Sequence, residues 1–237
     1  MLFRQLFEPD TCTYSYLIGC EQTQRAVLID PVASEVDSYV ALLNELRFTL
    51  IYTMETHVHA DHITGAGLLR DRLGSKGVVH RDAGAMCADL LVTDGVPLQV
   101  GGIEILVLHT PGHTSGCISY VVGDRVFSGD ALFINGCGRT DFQHGDAGML
   151  YDSITQKLFT LPPDTLVYPG HDYNGKTVST IKQEIATNAR LGGDKTRDEF
   201  IEIMANLNLP YPKYIDEALP ANQACGKPDK QGAVIQG

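Results

Sequence analysis

The segment Thr56-His57-Val58-His59-Ala60-Asp61-His62 restricts this 237-residue chain more than any other stretch. It packs three imidazoles and a carboxylate into six consecutive residues, 57–62. Imidazoles need polar partners when buried, so such a cluster has no use in an apolar core. On a surface, nothing would require the crowding. Metal coordination accounts for it, because neutral imidazole and carboxylate are common ligands of zinc, iron and manganese. A spacing of two sends His57 and His59 the same way only on extended backbone. Asp61-His62 then implies a bend that folds two further donors over. The preceding run 49–53 is β-branched and aromatic, which predicts a buried strand that delivers the cluster at its exit.

Three more donors sit in similar places. His113 lies in Thr110-Pro111-Gly112-His113-Thr114, Asp130 in Phe127-Ser128-Gly129-Asp130, and His171 in Tyr168-Pro169-Gly170-His171-Asp172. Each follows a strand-like run and has a glycine beside it, and glycine permits close backbone approach. Any one of them alone reads equally well as an ordinary polar turn. Together with the cluster they describe one site at strand exits, where α/β proteins place ligands.

Strand patterns fall at 14–18, 26–29, 49–53, 77–80, 103–109, 118–122, 125–128 and 165–168, and Gly123-Asp124 reads as a hairpin turn. Helical spacing covers 36–46, 65–73, 149–158 and 176–191. A capping box, Thr196-Arg197-Asp198-Glu199, opens a further helix to about residue 207. Beyond Leu209 the chain is rich in proline and polar residues and is expected to run along the surface. Alternating strands and helices imply sheets covered by helices. The length and the 43% apolar content suit one large domain. Its core is expected over 1–175, with C-terminal helices and an extended tail, 176–237, packed on it.

The net charge of −11 shows no basic footprint, which argues against a nucleic-acid binder. No apolar run approaches the roughly 20 residues that cross a bilayer, and the opening lacks the pattern of a signal peptide. The six cysteines form no CxxC pair and do not read as a disulfide framework. Cys12, Cys20, Cys87, Cys117 and Cys225 are read as free thiols, which suits a reducing, cytoplasmic setting. His109 is read as a satisfied histidine at a strand end, and His80 and His144 have no partners visible in the sequence.

The order HxHxDH, His, Asp, His resembles that of the metallo-β-lactamase superfamily over residues 12–175. The resemblance implies an α/β protein, an αββα sandwich with the metal at one edge. Two kinds of member fit: a glyoxalase II-like thioester hydrolase with two metals, and a persulfide dioxygenase with one Fe(II). The stretch Gly136-Cys137-Gly138-Arg139-Thr140-Asp141-Phe142-Gln143 resembles the persulfide dioxygenase family. So do Phe3-Arg4-Gln5-Leu6-Phe7, the run 55–62 and Gly170-His171-Asp172-Tyr173. That likeness implies oxidation of glutathione persulfide by O2 to sulfite and glutathione.

It also implies one Fe(II) per chain on His57, His113 and Asp130, with His59, Asp61, His62 and His171 hydrogen-bonding around it. Every donor for two metals is present, so the hydrolase stays open. Glutathione carries two carboxylates, and Arg139 is the candidate clamp for one. Arg139 reads equally as a tie to Asp141. Tyr173 is a candidate hydrogen-bond donor to substrate, or a packing residue. Cys137 either lines the pocket or is a small buried apolar residue. The resemblance leaves a homodimer open.

Overall fold

The structure, a computed structural model, describes residues 1–227. Among the described residues twelve strands form two six-stranded sheets. The first holds β1 (Leu2–Glu8), β2 (Thr13–Cys20), β3 (Arg25–Ile29), β4 (Thr49–Met54), β5 (Lys76–His80) and β6 (Leu90–Val92), in that order. The second holds β7 (Pro97–Val100), β8 (Ile103–His109), β9 (Ile118–Val122), β10 (Arg125–Gly129), β11 (Leu166–Pro169) and β12 (Ser179–Thr180). β3 to β6 run parallel, as do β10 and β11.

Period-two alternation divides the side chains between two kinds of core. Tyr16, Ile18, Val27, Ile29, Phe127 and Tyr168 point between the sheets and meet there. Their strand neighbours point outward. Leu17, Leu28 and Leu50 pack under α1 (Val36–Leu46) and α2 (Ala66–Leu73). Val126 and Val167 pack under α3 (Ala147–Ser153), α4 (Ile181–Thr187) and α5 (Arg197–Ala205). Helices therefore cover both outer faces, which is the αββα sandwich of the metallo-β-lactamase fold. Among the described residues no helix is long and apolar enough to cross a membrane.

Two buried tyrosines stitch the sheets near the edge where the ligand loops emerge. Tyr16 of β2 donates to the Pro169 carbonyl at 2.5 Å, and Tyr120 of β9 donates to the Glu55 carbonyl at 2.8 Å. The Ile118 N–H also reaches across to the Thr56 carbonyl at 2.8 Å.

The expected helix over 176–191 is shorter. Ser179 and Thr180 pair with Val167 and Leu166, and Thr180 caps α4, which ends at Asn188 because that side chain turns to the Gly136 carbonyl. The capping box at Thr196 opens α5 as expected. The surface course expected after Leu209 gives way to a sixth helix, α6 (Ile215–Gln223), which buries Ile215, Ala218, Ala221 and Asn222. Pro220 and the small size of its apolar residues hide it from a periodicity search. The end of the expected tail, 228–237, lies outside the described residues.

Cys87 and Cys225 are joined in a disulfide, contrary to the expected free thiols. They stand 138 residues apart, so no spacing pattern marks them. His80 likewise has a partner: its ring stacks on His109 with centroids 3.9 Å apart.

Tyr120→Phe leaves the Glu55 carbonyl unpaired and should cost about 1–3 kcal/mol. Phe200→Ala empties the outer core and should cost about 3–5 kcal/mol. Urea unfolding measures both.

Candidate metal centre

Four loops leave the same edge of the sandwich, after β4, β8, β10 and β11, and they carry His57 to His62, His113, Asp130 and His171 respectively. The structure thus gathers all seven expected donors. Nitrogen or oxygen atoms of His57, His113 and Asp130 lie within 4.8 Å of one another, as do those of His57, His59 and Asp61. His171 Nε2 stands 3.4 Å from Asp61 Oδ2 and 3.5 Å from Asp130 Oδ1, joining the two groups.

The hydrogen bonds decide which way each imidazole presents its lone pair. Thr56 donates its only hydroxyl proton to Asp30 Oδ2 at 2.8 Å, so it accepts from His57 Nδ1 at 3.0 Å. His113 Nδ1 faces the Arg139 carbonyl at 2.6 Å, and His171 Nδ1 faces the Cys12 carbonyl at 3.3 Å. His62 Nδ1 faces Asp61 Oδ2 at 2.8 Å. His59 is turned round: its Nε2 faces Asp30 Oδ1 at 3.1 Å and Glu55 Oε2 at 3.3 Å. Every one of these partners accepts, so the facing nitrogen carries a proton and the other nitrogen is the one open to a cation once the ring is neutral. His59 Nδ1, His62 Nε2, His171 Nε2 and Asp130 Oδ1 are buried without any hydrogen-bond partner. Burying a polar atom unpaired is costly unless something binds it. These residues fit a divalent cation held by imidazole and carboxylate.

The electrostatics agree. Burial, with His59 and His113 close by, holds His57 well below the usual imidazole pKa, so it is a neutral donor. Burial works against protonation of His59, but Asp30 and Glu55 outweigh it and hold its pKa well above the usual value. Burial works against ionisation of Asp61, yet His62 and His171 outweigh it and keep the carboxyl well below the usual range.

Glycine is required beside the donors. Gly129 has φ +51°, and a Cβ there would strike Thr56; a Cβ on Gly170 would lie 2.6 Å from Asp130 Oδ1.

The loop 136–143 acts as a cradle. Gly138 N–H donates to the Asp130 carbonyl at 2.8 Å, and Gln143 Nε2 donates to the Val58 carbonyl at 2.7 Å. The Arg139 guanidinium pairs with both oxygens of Asp141, at 2.6 and 2.7 Å, and donates to the Pro210 carbonyl at 2.8 Å. Arg139, Cys137 and Tyr173 line one cavity of about 590 Å³ that also exposes Asp61, His113, Asp130 and His171. Cys137 is buried, its thiol pushed up to about 11 by that burial. Tyr173 is exposed, with its ring parallel to that of His171.

Sequence reasoning missed several participants. Asp30 is buried and accepts from Thr56 N–H at 2.6 Å as well as from Thr56 Oγ1 and His59. Its one signal was its position at a strand end, where φ is +47°. Thr13 Oγ1 lies within 3.5 Å of Asp61, His62 and His171. Lys213 joins the cavity wall from a segment read as surface.

Residues 12–171 match the family described as the metallo-beta-lactamase superfamily. A persulfide dioxygenase of Homo sapiens, ETHE1, described as mitochondrial, is 50% identical over 95% of this chain and 89% of its own length. The crystal structure of ETHE1 from Myxococcus xanthus has a TM-score of 0.94 at 56% identity, covering 95% of this chain and 100% of that one. A probable metallo-hydrolase of Burkholderia pseudomallei is 33% identical, over 89% of this chain and 88% of its own.

Asp30→Asn removes the charge that orients His57 and His59. It should weaken metal binding roughly 10- to 100-fold in chelator competition, with far-UV dichroism unchanged. A cation held beside His59 repels the extra proton that its raised pKa retains. Affinity should therefore rise as pH is raised through the folded-state value and fall below it. The His59 ion pair itself stabilises the metal-free chain below about pH 6.5, and that contribution is lost as pH rises through the same folded-state value, which a denaturant series at several pH values would read.

Proposed function

The chain belongs to the metallo-β-lactamase superfamily and, within it, to the persulfide dioxygenase family, and from that premise we propose that it oxidises glutathione persulfide with O2 to sulfite and glutathione at one Fe(II) per chain. The ligands in this reading are His57, His113 and Asp130. The observation that carries it is their convergence: two imidazoles and one carboxylate with donor atoms within 4.8 Å. Two histidines and a carboxylate on one face are the usual set for ferrous oxygenases. A ferrous ion held by these residues would supply the redox chemistry needed to add O2 to the persulfide sulfur.

The chain's own residues bind, orient and balance charge. Asp130 supplies the anionic ligand. Thr56 and the Arg139 carbonyl fix the rings of His57 and His113 through their Nδ1 atoms. His59, Asp61, His62 and His171 hydrogen-bond around the ion and its ligands. The cavity of about 590 Å³ is large enough for a tripeptide-sized substrate.

The carboxylate clamp moves from Arg139 to Lys213. All three guanidinium nitrogens of Arg139 are engaged by Asp141 and Pro210. Lys213 lies over the Tyr214 ring at 4.6 Å and has no carboxylate partner among the described residues. Arg139 instead holds the loop whose carbonyl orients His113.

A second reading, a two-metal thioester hydrolase, is favoured by one observation: Asp61, His62 and His171 converge beside the first triad. The B. pseudomallei relative bears a hydrolase name. Protein purified without oxygen should carry about one iron and consume O2 only when a persulfide is supplied. Two zinc ions per chain with thioester cleavage in the absence of O2 would give the case to the hydrolase.

Asp130→Ala should abolish iron binding, read by metal analysis. Lys213→Ala should raise KM for glutathione persulfide about 5- to 30-fold with kcat little changed. Arg139→Ala should lower kcat and metal affinity more than it raises KM.

A further inference from the structure

Asn222 is nearly the last residue of α6, yet every hydrogen bond of its side chain goes to the loop of the metal centre. Nδ2 donates to the His59 carbonyl at 2.9 Å and to the His62 carbonyl at 2.7 Å. Oδ1 accepts from the Thr64 N–H at 2.9 Å. The side chain is buried, so none of these bonds is shared with water at the surface. One amide thus fixes the backbone on both sides of Asp61 and His62, across about 160 residues of sequence.

The turn that follows is fastened as firmly. The Cys225 carbonyl accepts from the Gly67 N–H at 3.0 Å, at the start of α2. Gly226 has φ +76°, and a Cβ there would strike the Thr64 carbonyl. Cys225 is disulfide-bonded to Cys87, in the loop between β5 and β6. The bond therefore ties the end of α6 down three residues past Asn222. Cys225 is buried, while Cys87 is partly exposed. Val58, Val79 and Ala85 pack together beneath this junction, with Cys87 and Leu219 against them.

We propose that Asn222 is a positioning residue that sets the path of the loop carrying His59, Asp61 and His62, and that the Cys87–Cys225 disulfide holds it there, so that thiol–disulfide exchange loosens the metal centre. The exchange is balanced with two equivalents of a low-molecular-weight thiol. The first thiolate attacks Cys87 Sγ, the protein S–S bond breaks, and Cys225 leaves as a thiolate that takes a proton. The second attacks the mixed disulfide, frees the Cys87 thiol and departs as the oxidised small disulfide. The proposed reaction releases such a thiol as product, so the co-reactant belongs to a chemical class that the proposed activity itself supplies. The inference rests on the metal-site reading above, though not on the identity of the metal or on the oxygenase chemistry.

The test uses the full chain in oxidised form, the same chain after TCEP, Cys87→Ser, Asn222→Ala and the double variant. Three quantities are read: loss of Fe(II) or Zn(II) to a chelator, amide hydrogen exchange over residues 59–64 in the metal-free chain, and kcat against KM. Asn222→Ala should speed metal loss about 10- to 100-fold. TCEP and Cys87→Ser should each speed it several-fold and raise exchange over 59–64. In the Asn222→Ala background neither should add anything, because the bond acts through that amide. Effects that simply add, or a Cys87→Ser chain with wild-type metal retention and exchange, would overturn the proposal. So would the absence of a two-hydrogen mass gain on reducing the isolated protein. A wild type that keeps zinc but never iron sinks the oxygenase reading while still scoring the clamp.

Discussion

Much of this molecule hangs on the carboxylate of Asp30. Buried at the end of β3, it accepts from the Thr56 backbone, the Thr56 hydroxyl and His59. Through Thr56 it sets the tautomer of His57, and directly it sets that of His59. A charge in so dry a place is tolerable only because each oxygen is engaged. The two histidines closest to the β4 exit are therefore aimed before any metal arrives, so less ordering remains to be done on binding.

Aiming five imidazoles has a cost in the metal-free chain. Each unpaired buried polar atom is worth about 1–3 kcal/mol of destabilisation, and four such atoms belong to the gathered donors. A cation would relieve those it binds. The arrangement is thus a structure strained by its own donors and stabilised by the ligand they await, with the oxygen acceptors behind each ring preventing the donors from turning away.

The loop 136–143 shows how a family-like motif can act at one remove from chemistry. Its arginine reads naturally as a substrate clamp, because guanidinium matches a carboxylate. In the fold that guanidinium is engaged by Asp141 and Pro210, and the residue's backbone carbonyl faces His113 Nδ1. Gln143 does the same kind of work on Val58. Lys213, a cavity cation with no carboxylate partner among the described residues, arrives instead from the segment leading into α6.

The sequence by itself marked the candidate donors that the fold gathers, the strand exits that carry them and the glycines beside them. These are local chemistry: an unusual density of imidazole, β-branched runs, and turns that tolerate only a hydrogen at Cα. It also determined α1, β8 and the capping box of α5, where periodicity or a four-residue motif suffices. Only the tertiary structure decided the partners. Asp30, Asn222 and the Cys87–Cys225 pair look ordinary in sequence, because what makes them matter is a neighbour up to about 160 residues away. α6 was hidden for a related reason: with Pro220 inside and alanines on its buried face, its stability comes from docking on the metal loop rather than from its own helical propensity.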